Sequence, residues 1–163
     1  MNMNSLVFSA SLALSSHASA AIEGLFGSDC LPVDGLSATK DLFFEDGQLS
    51  IVHTIYSDSD CSVPAYDFAF SGAYSQTEEQ LDYSFSSISL KLYDERISSA
   101  FSSESICGFS DWVTGEAREV SGLSCGIQKI PALDQKVFDR VLQDEDGIRL
   151  GRSAPNPTPS ILL

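Results

Sequence analysis

The sequence predicts a mainly β protein, built as a curved antiparallel meander or a β-barrel with one short helix. Three runs of alternating apolar and polar residues within residues 48–93 carry this prediction. Such alternation is typical of strands that have one face in the core and the other in water. Turn residues separate the runs, so consecutive strands are expected to pair in antiparallel fashion. The apolar phase of the third run changes across Ser86 and Ser87, which indicates a bulge of the kind that bends sheets and barrels.

Further strands and hairpins are expected on either side of this central segment. Residues 24–30 are predicted to form a short first strand that ends at a cysteine. Asp46-Gly47 separates two apolar runs and supplies the positive φ angles that a type I′ hairpin turn requires. Asp146-Gly147 is expected to do the same in a second hairpin near the C-terminus.

One segment, between Asp94 and Gly108, has the pattern of a helix. Its apolar residues Ile97, Ala100 and Phe101 recur at helical spacing, so they are expected on one face. Asp94 is the expected N-cap and Gly108 the expected C′ residue. Because the helix is short and rich in serine, it would be stable only when packed on the sheet.

The first 20 residues have the composition of a secretory signal peptide. They contain an apolar run and no charged residue, and Ala18-Ser19-Ala20 has the small-x-small pattern that signal peptidase accepts. We therefore expect export to the periplasm or the cell exterior, with residues 21–152 forming one disulfide-bonded, β-barrel-like domain. The tail, residues 153–163, is rich in proline and is expected to be extended. Beyond the signal peptide, the sequence predicts no transmembrane segment.

Four cysteines follow the predicted signal peptide. An even number in an exported protein indicates two disulfides, for which three pairings exist. We favour Cys30–Cys61 and Cys107–Cys125, because each of these pairs brackets one run of strand and turn. A zinc site is disfavoured, since the chain has no CxxC pair and its exported part has a single histidine. We expect no metal and no cofactor.

The acidic composition indicates which classes of binding partner to expect. A formal net charge of −14 over 163 residues argues against nucleic acids and anionic membrane surfaces, which both attract Lys and Arg. Asp58 and Asp60 lie in a polar turn and resemble calcium ligands, but the glycine-centred loop of an EF-hand is missing. We favour hydrogen bonds within the turn as their role. The sequence does not assign a protein partner.

One motif in the sequence is typical of an enzyme. Residues 122–126 match the GxSxG motif around the nucleophile of serine hydrolases, with Ser124 at its centre. That motif works where a strand turns into a helix, whereas Cys125 is an expected disulfide partner and Pro131 would end a helix soon after. His53 is the one conventional base, and its apolar neighbours predict an inward-facing, hydrogen-bonded side chain. We therefore predict that the protein is not an enzyme.

Large aromatic side chains concentrate on the apolar face of the predicted sheet. They could fill the interior of a sandwich or barrel, or line an apolar pocket of the kind that small barrels often enclose. The leading hypothesis is a non-enzymatic binding module for an apolar small molecule or a lipid moiety. The alternative is a structural or surface-interaction protein with a filled barrel and no ligand. The candidate pocket residues are Tyr66, Phe68, Phe70, Tyr83, Phe85, Trp112 and His53.

The order of several features resembles a known family. A strand that ends at Cys30 is followed by the pattern Y-x-D-x-x-C-x-x-P…G-x-Y, which falls on Tyr56, Asp58, Cys61, Pro64, Gly72 and Tyr74. This series, within residues 24–93, resembles the repeated domain of the secreted Wnt inhibitor family called adenomatosis polyposis coli down-regulated and of its exported bacterial relatives. That domain is a lipocalin-like, incomplete β-barrel, and the resemblance implies the same fold here.

The resemblance also carries expectations about the site. It implies that Cys30 bonds Cys61 and that the ligand is a hydrophobic small molecule or lipid moiety. It implies that Phe68, Phe70 and Tyr83 line the pocket. The first strand differs from the family, because a phenylalanine, Phe26, stands where the family has a tryptophan.

Overall fold

The computed structural model of the chain describes residues 21–144 and 147–151. The predicted signal peptide, the predicted tail at residues 153–163 and Asp146 of the second hairpin lie outside these ranges. No helix among the described residues is long and apolar enough to cross a membrane.

Strands dominate the described part of the chain. One α-helix, α1, spans Glu95–Ser103, and one 3₁₀ turn spans Ile106–Gly108. The strands are β1 (Gly24–Gly27), β2 (Leu31–Val33), β3 (Leu36–Glu45), β4 (Gln48–Tyr56), β5 (Pro64–Thr77), β6 (Gln80–Leu92), β7 (Ala117–Glu119), β8 (Ser124–Cys125), β9 (Gln128–Lys129), β10 (Val137–Asp144) and β11 (Gly147–Gly151).

Nine of these strands form one antiparallel sheet, and β8 and β9 form a separate hairpin. The main path of the sheet runs β1-β3-β4-β5-β6-β10-β11, with β2 paired to β3 and β7 paired to β6. From β3 to β6 every strand pairs with the next one in the chain, as in a meander. No pairing joins β1 to β11 within the described residues, so the sheet is not closed into a barrel. The predictions of a mainly β fold, an antiparallel meander and one helix are confirmed, with the sheet left open.

The structure contains one tight turn and one bulge at the positions that the sequence predicts. Asp46 and Gly47 both have positive φ, as the type I′ turn between β3 and β4 requires. In the β5–β6 pair, Gly72 pairs with Phe85, whereas the residue before it pairs with Ser87. Ser86 is therefore the extra residue of a bulge.

Gly72 is required by the close approach of the two strands at this bulge. A Cβ at this position would clash with the backbone of Ser84 and Phe85 on the facing strand. Glycine avoids the clash because it carries no side chain, which is a common reason for glycine inside a strand. The bulge and the close approach bend the sheet at its centre.

The helix begins where the sequence predicts and ends earlier. The carboxylate of Asp94 accepts hydrogen bonds from two backbone N–H groups of the first turn, which fixes the N-terminus of α1. The helix ends at Ser103, whose hydroxyl donates to the carbonyl oxygen of Ala100, and Ser105 then takes a positive φ. Serine hydroxyls compete for the backbone groups of a last helical turn. The prediction that Gly108 is the C′ residue is therefore wrong.

The core lies on one face of the sheet, and the segment after α1 covers part of it. Trp112 from this segment is buried, and its indole N–H donates to the carbonyl oxygen of Ile106. Two disulfides hold the connecting segments. Cys30–Cys61 joins the β1–β2 connection to the turn after β4, and Cys107–Cys125 joins the 3₁₀ turn to β8. These are the two pairs that the sequence favours.

Candidate functional site

Seven aromatic side chains form one continuous row through the core. Neighbouring ring centroids along the row lie between 5.2 and 6.4 Å apart, which is the range of favourable aromatic pairs. The row contains all six aromatic residues that the sequence proposes for the site, and Phe101 of α1 connects two of them. In order of contact, this aromatic row consists of Trp112, Phe101, Tyr66, Phe68, Phe70, Phe85 and Tyr83.

The aromatic row is mostly buried. Phe68, Phe70 and Phe85 lie on the inner face of the sheet with almost no exposed surface, and Tyr66 is half-buried. Rings that pack edge to face or stack contribute to stability beyond the area that they bury. The row is therefore part of the core.

Four side chains with polar groups interrupt the inner face along the aromatic row, and one of them, Tyr83, is the last residue of the row. Lys40 on β3 lies directly opposite His53 on β4, and His53 lies opposite Phe68 of the row. Tyr83 on β6 and Asp139 on β10 point to the same side of the sheet, because both alternate with buried apolar residues. We call Lys40, His53, Tyr83 and Asp139 the polar cluster.

Electrostatic contact within the polar cluster shows how strongly the sheet curves. Neighbouring strands lie about 4.8 Å apart, so β3 and β10, four steps apart in the sheet, would be separated by about 19 Å if the sheet were flat. Burial lowers the pKa of Lys40, and the negative charge of Asp139 opposes this effect. Two charges act on each other in this way only when they are close, so β3 and β10 must face each other across a concave interior.

His53 is the most constrained member of the polar cluster. It is 5% exposed, which confirms that its side chain faces inward. Burial, and to a smaller extent the positive charge of Lys40, lower its pKa to about 4. The imidazole is therefore uncharged at neutral pH. Its Nδ1 is buried and has no hydrogen-bond partner among the described residues, so the expected hydrogen bond is missing at this atom.

Asp139 contributes the only negative charge that the polar cluster contains. It is 5% exposed, and its Oδ1 accepts a hydrogen bond of 2.9 Å from the backbone N–H of Arg140. Burial raises the pKa of Tyr83, and the charge of Asp139 raises it further. The polar cluster thus combines Lys40 and Asp139, whose opposite charges act on each other, with Tyr83 and with His53, which is uncharged at neutral pH.

A cavity of about 320 Å³ lies beside Asp139. It is formed where the turn between β5 and β6 meets β10, and Arg140 and Glu79 pair with each other at its rim. Asp139 belongs both to the wall of this cavity and to the polar cluster.

Sequence reasoning missed three residues of this site, and the strand alternation could have indicated two of them. Lys40 alternates with buried Ala38 and Leu42 on β3, and Asp139 occupies the same kind of position on β10. A charged residue in phase with buried apolar residues is the signal, since charged side chains are rarely buried without a partner. Phe101 was predicted on the packed face of the helix, but its contacts with Tyr66 and Trp112 depend on how α1 docks.

The residues that resemble metal ligands are engaged in local structure. Asp58 accepts hydrogen bonds from the backbone N–H groups of Ser62 and Val63 and from the Ser62 hydroxyl. These bonds, the one to the Ser62 hydroxyl above all, lower the pKa of Asp58. Such bonds close the turn, as the sequence predicts. Among the residues that the structure describes, no group of three or more His, Cys, Asp or Glu side chains could hold a metal ion.

The GxSxG motif does not have the geometry of a hydrolase nucleophile. Ser124 lies in β8, and the chain turns from β8 directly into β9 rather than into a helix. The next residue, Cys125, is bonded to Cys107. The strand-turn-helix arrangement on which the motif depends is therefore missing from this segment.

Comparison with models of known protein families gave no match, and a search of curated proteins gave none either. The resemblance to the Wnt inhibitor family and its bacterial relatives therefore stays a prediction.

Proposed function

We propose that the protein is an exported, non-enzymatic binding module that holds an apolar small molecule or lipid moiety on the concave face of its open sheet. The observation that carries this proposal is the aromatic row, which lies along the polar cluster on the same concave face. A ligand site that combines an apolar wall with a few polar groups is the usual arrangement in proteins.

The polar cluster supports a ligand more than a purely structural interior. A buried ion pair is often less stabilising than apolar side chains of the same volume. A buried polar atom without a partner costs about 1–3 kcal/mol. A core that serves stability alone has no use for Lys40, Asp139 and the unpaired Nδ1 of His53, whereas a ligand site gives all three a role.

The two disulfides support export. Disulfides persist in the periplasm and outside the cell and are rare in the reducing cytosol. Cys30–Cys61 and Cys107–Cys125 both join segments that lie outside the central strands. An oxidising compartment would keep both pairs intact.

The alternative function, a surface-interaction protein with a filled interior, is favoured by a different observation. Leu25 on β1 and Phe43 on β3 are directly paired on the outer face of the sheet. They are 70% and 40% exposed. Adjacent exposed apolar side chains on a sheet are typical of a contact surface. The dense packing of the aromatic row also fits this alternative.

Probe binding to the exported protein distinguishes the two functions. The full chain is expressed with export, purified under non-reducing conditions and titrated with N-phenyl-1-naphthylamine, an uncharged apolar dye that fluoresces when it leaves water. We expect saturable uptake with one dye per chain, and native mass spectrometry is expected to detect a co-purified small molecule before delipidation.

Two matched variants locate the dye. Phe70→Ala removes an inner ring of the aromatic row and is expected to weaken dye binding at least about tenfold, while Phe43→Ala removes an outer ring and is expected to leave it unchanged. Circular dichroism confirms that each variant is folded. Folded wild-type protein that takes up no dye and carries no small molecule would favour the filled interior instead.

A further inference from the structure

We propose that the ligand carries one uncharged hydrogen-bonding head group, such as a hydroxyl, and that this group pairs with Nδ1 of His53. The inference rests on the function proposed above and narrows its ligand class. On this proposal the polar cluster accepts the polar end of an amphipathic molecule and excludes head groups that carry a charge.

The position of His53 places the head group beside the middle of the aromatic row. His53 lies opposite Phe68, which contacts Phe70, and Phe70 contacts Phe85. A ligand whose polar end meets His53 can therefore lay its apolar part along these rings. The side chain of His53 is 95% removed from solvent, so bulk water does not satisfy Nδ1.

The charges of the polar cluster select against an ionised head group. A carboxylate at His53 would need Lys40 as its partner, but the negative charge of Asp139 already acts on Lys40. An ammonium group would lie beside Lys40, whose positive charge already lowers the pKa of His53. A buried charge without a partner of its own is costly, because little solvent stabilises it. An uncharged head group avoids this cost and leaves the attraction between Lys40 and Asp139 intact.

The protonation state of His53 fits the same ligand. The imidazole is uncharged at neutral pH, because burial holds its pKa well below the usual value. In an uncharged imidazole one nitrogen donates and the other accepts. A hydroxyl can donate and accept, so it pairs with Nδ1 in either tautomer, whereas a carbonyl pairs only when Nδ1 carries the proton.

A displacement series with one chain length and three head groups tests the inference. Bound N-phenyl-1-naphthylamine is displaced at pH 7 by 1-dodecanol, dodecanoate or dodecylammonium, which share the same apolar tail. We expect 1-dodecanol to displace the dye at a concentration about tenfold lower than either ion, the factor that one net hydrogen bond supplies. Dodecanoate displacing as well as or better than the alcohol would overturn the inference.

Variants assign the preference to particular side chains. His53→Phe keeps an aromatic ring but removes Nδ1, and it is expected to bind the dye while losing the preference for the alcohol. Thr54→Val, a polar change at the next residue, which points to the opposite face of β4, is the matched control and is expected to keep the preference. A preference that survives His53→Phe would show that another group binds the head.

A second pair of variants changes the charge balance without touching His53. Asp139→Asn removes the negative charge that acts on Lys40 within the polar cluster, so dodecanoate is expected to gain about tenfold in apparent affinity. Lys40→Met leaves Asp139 as the only charge, so dodecylammonium is expected to gain instead. Unchanged selectivity in both variants would overturn the charge argument. Failure of wild-type protein to bind the dye at all is a different result, which would count against the proposed function itself.

Discussion

The low pKa of His53 predicts a loss of stability in mild acid that a single substitution removes. In the folded protein the pKa of His53 is about 4, against a usual value of 6.5. Between these two pH values the unfolded chain binds a proton at His53 that the folded chain does not. The free energy of unfolding therefore falls as the pH is lowered through this window. It keeps its full value only above about pH 6.5.

The magnitude follows from the two pKa values. With pKa values of about 4 and 6.5, lowering the pH from 7 to 5 removes about 2 kcal/mol from the free energy of unfolding, and about 3 kcal/mol is lost once the pH is below 4. The His53→Phe variant has no imidazole that could bind this proton. As the pH is lowered, the free energy of unfolding of the wild type should therefore fall relative to that of the variant by these amounts. Comparing the two proteins cancels the acid titration of the many carboxylates.

Two measurements follow this effect. The chain has a single tryptophan, Trp112, which is buried, so its fluorescence reports urea unfolding at each pH with the disulfides intact. His53 is the only histidine in residues 21–163, so its NMR titration needs no assignment against other histidines. A titration midpoint between pH 6 and 7 in the folded protein would refute the reasoning, as would parallel pH profiles for wild type and His53→Phe.

Three further predictions concern the fold, and each is tested by urea unfolding. Gly72→Ala should lower the free energy of unfolding by about 1–3 kcal/mol, because the new Cβ meets backbone atoms of the facing strand. In the control Gly27→Ala the new Cβ meets only a flexible side chain, so the cost should be under about 0.5 kcal/mol. Equal costs would contradict the close approach at the bulge. Replacing Cys30 and Cys61 by serine should cost about 3–4 kcal/mol by the entropy of a 31-residue loop, and a cost below about 1 kcal/mol would argue against that bond. Asp94→Ala should cost about 1 kcal/mol by removing the N-cap of α1, and its replacement by asparagine should restore most of this loss.

The central sheet was predictable because its signals are local. Period-2 alternation decides which side chains of β4, β5 and β6 face the core, and no tertiary contact is needed to see it. Asp46-Gly47 specifies a turn by its own backbone preferences. The change of phase at Ser86 marks the bulge, since one extra residue reverses the face of every residue after it.

The remaining parts depend on contacts between distant segments. The end of α1 was not predictable from Gly108, because the serines before it end the helix through their own hydrogen bonds and a positive φ at Ser105. The position of Trp112 depends on docking against α1. The interaction between Asp139 and Lys40 depends on the curvature of the whole sheet. Each of the two residues can nevertheless be recognised in the alternation, as a charged residue at a position that faces the core.

The bulge and the polar cluster are connected through this curvature. The bend at Gly72 and Ser86 lies between the strand that carries Lys40 and the strand that carries Asp139. Without a bend, the two charges would lie at opposite sides of a broad sheet, each with water as its partner. With the bend, the two charges act on each other across a concave interior. The proposed neutral head group would pair with Nδ1 of His53 without adding a third charge. The backbone geometry of one strand pair thus determines the chemistry of the proposed site.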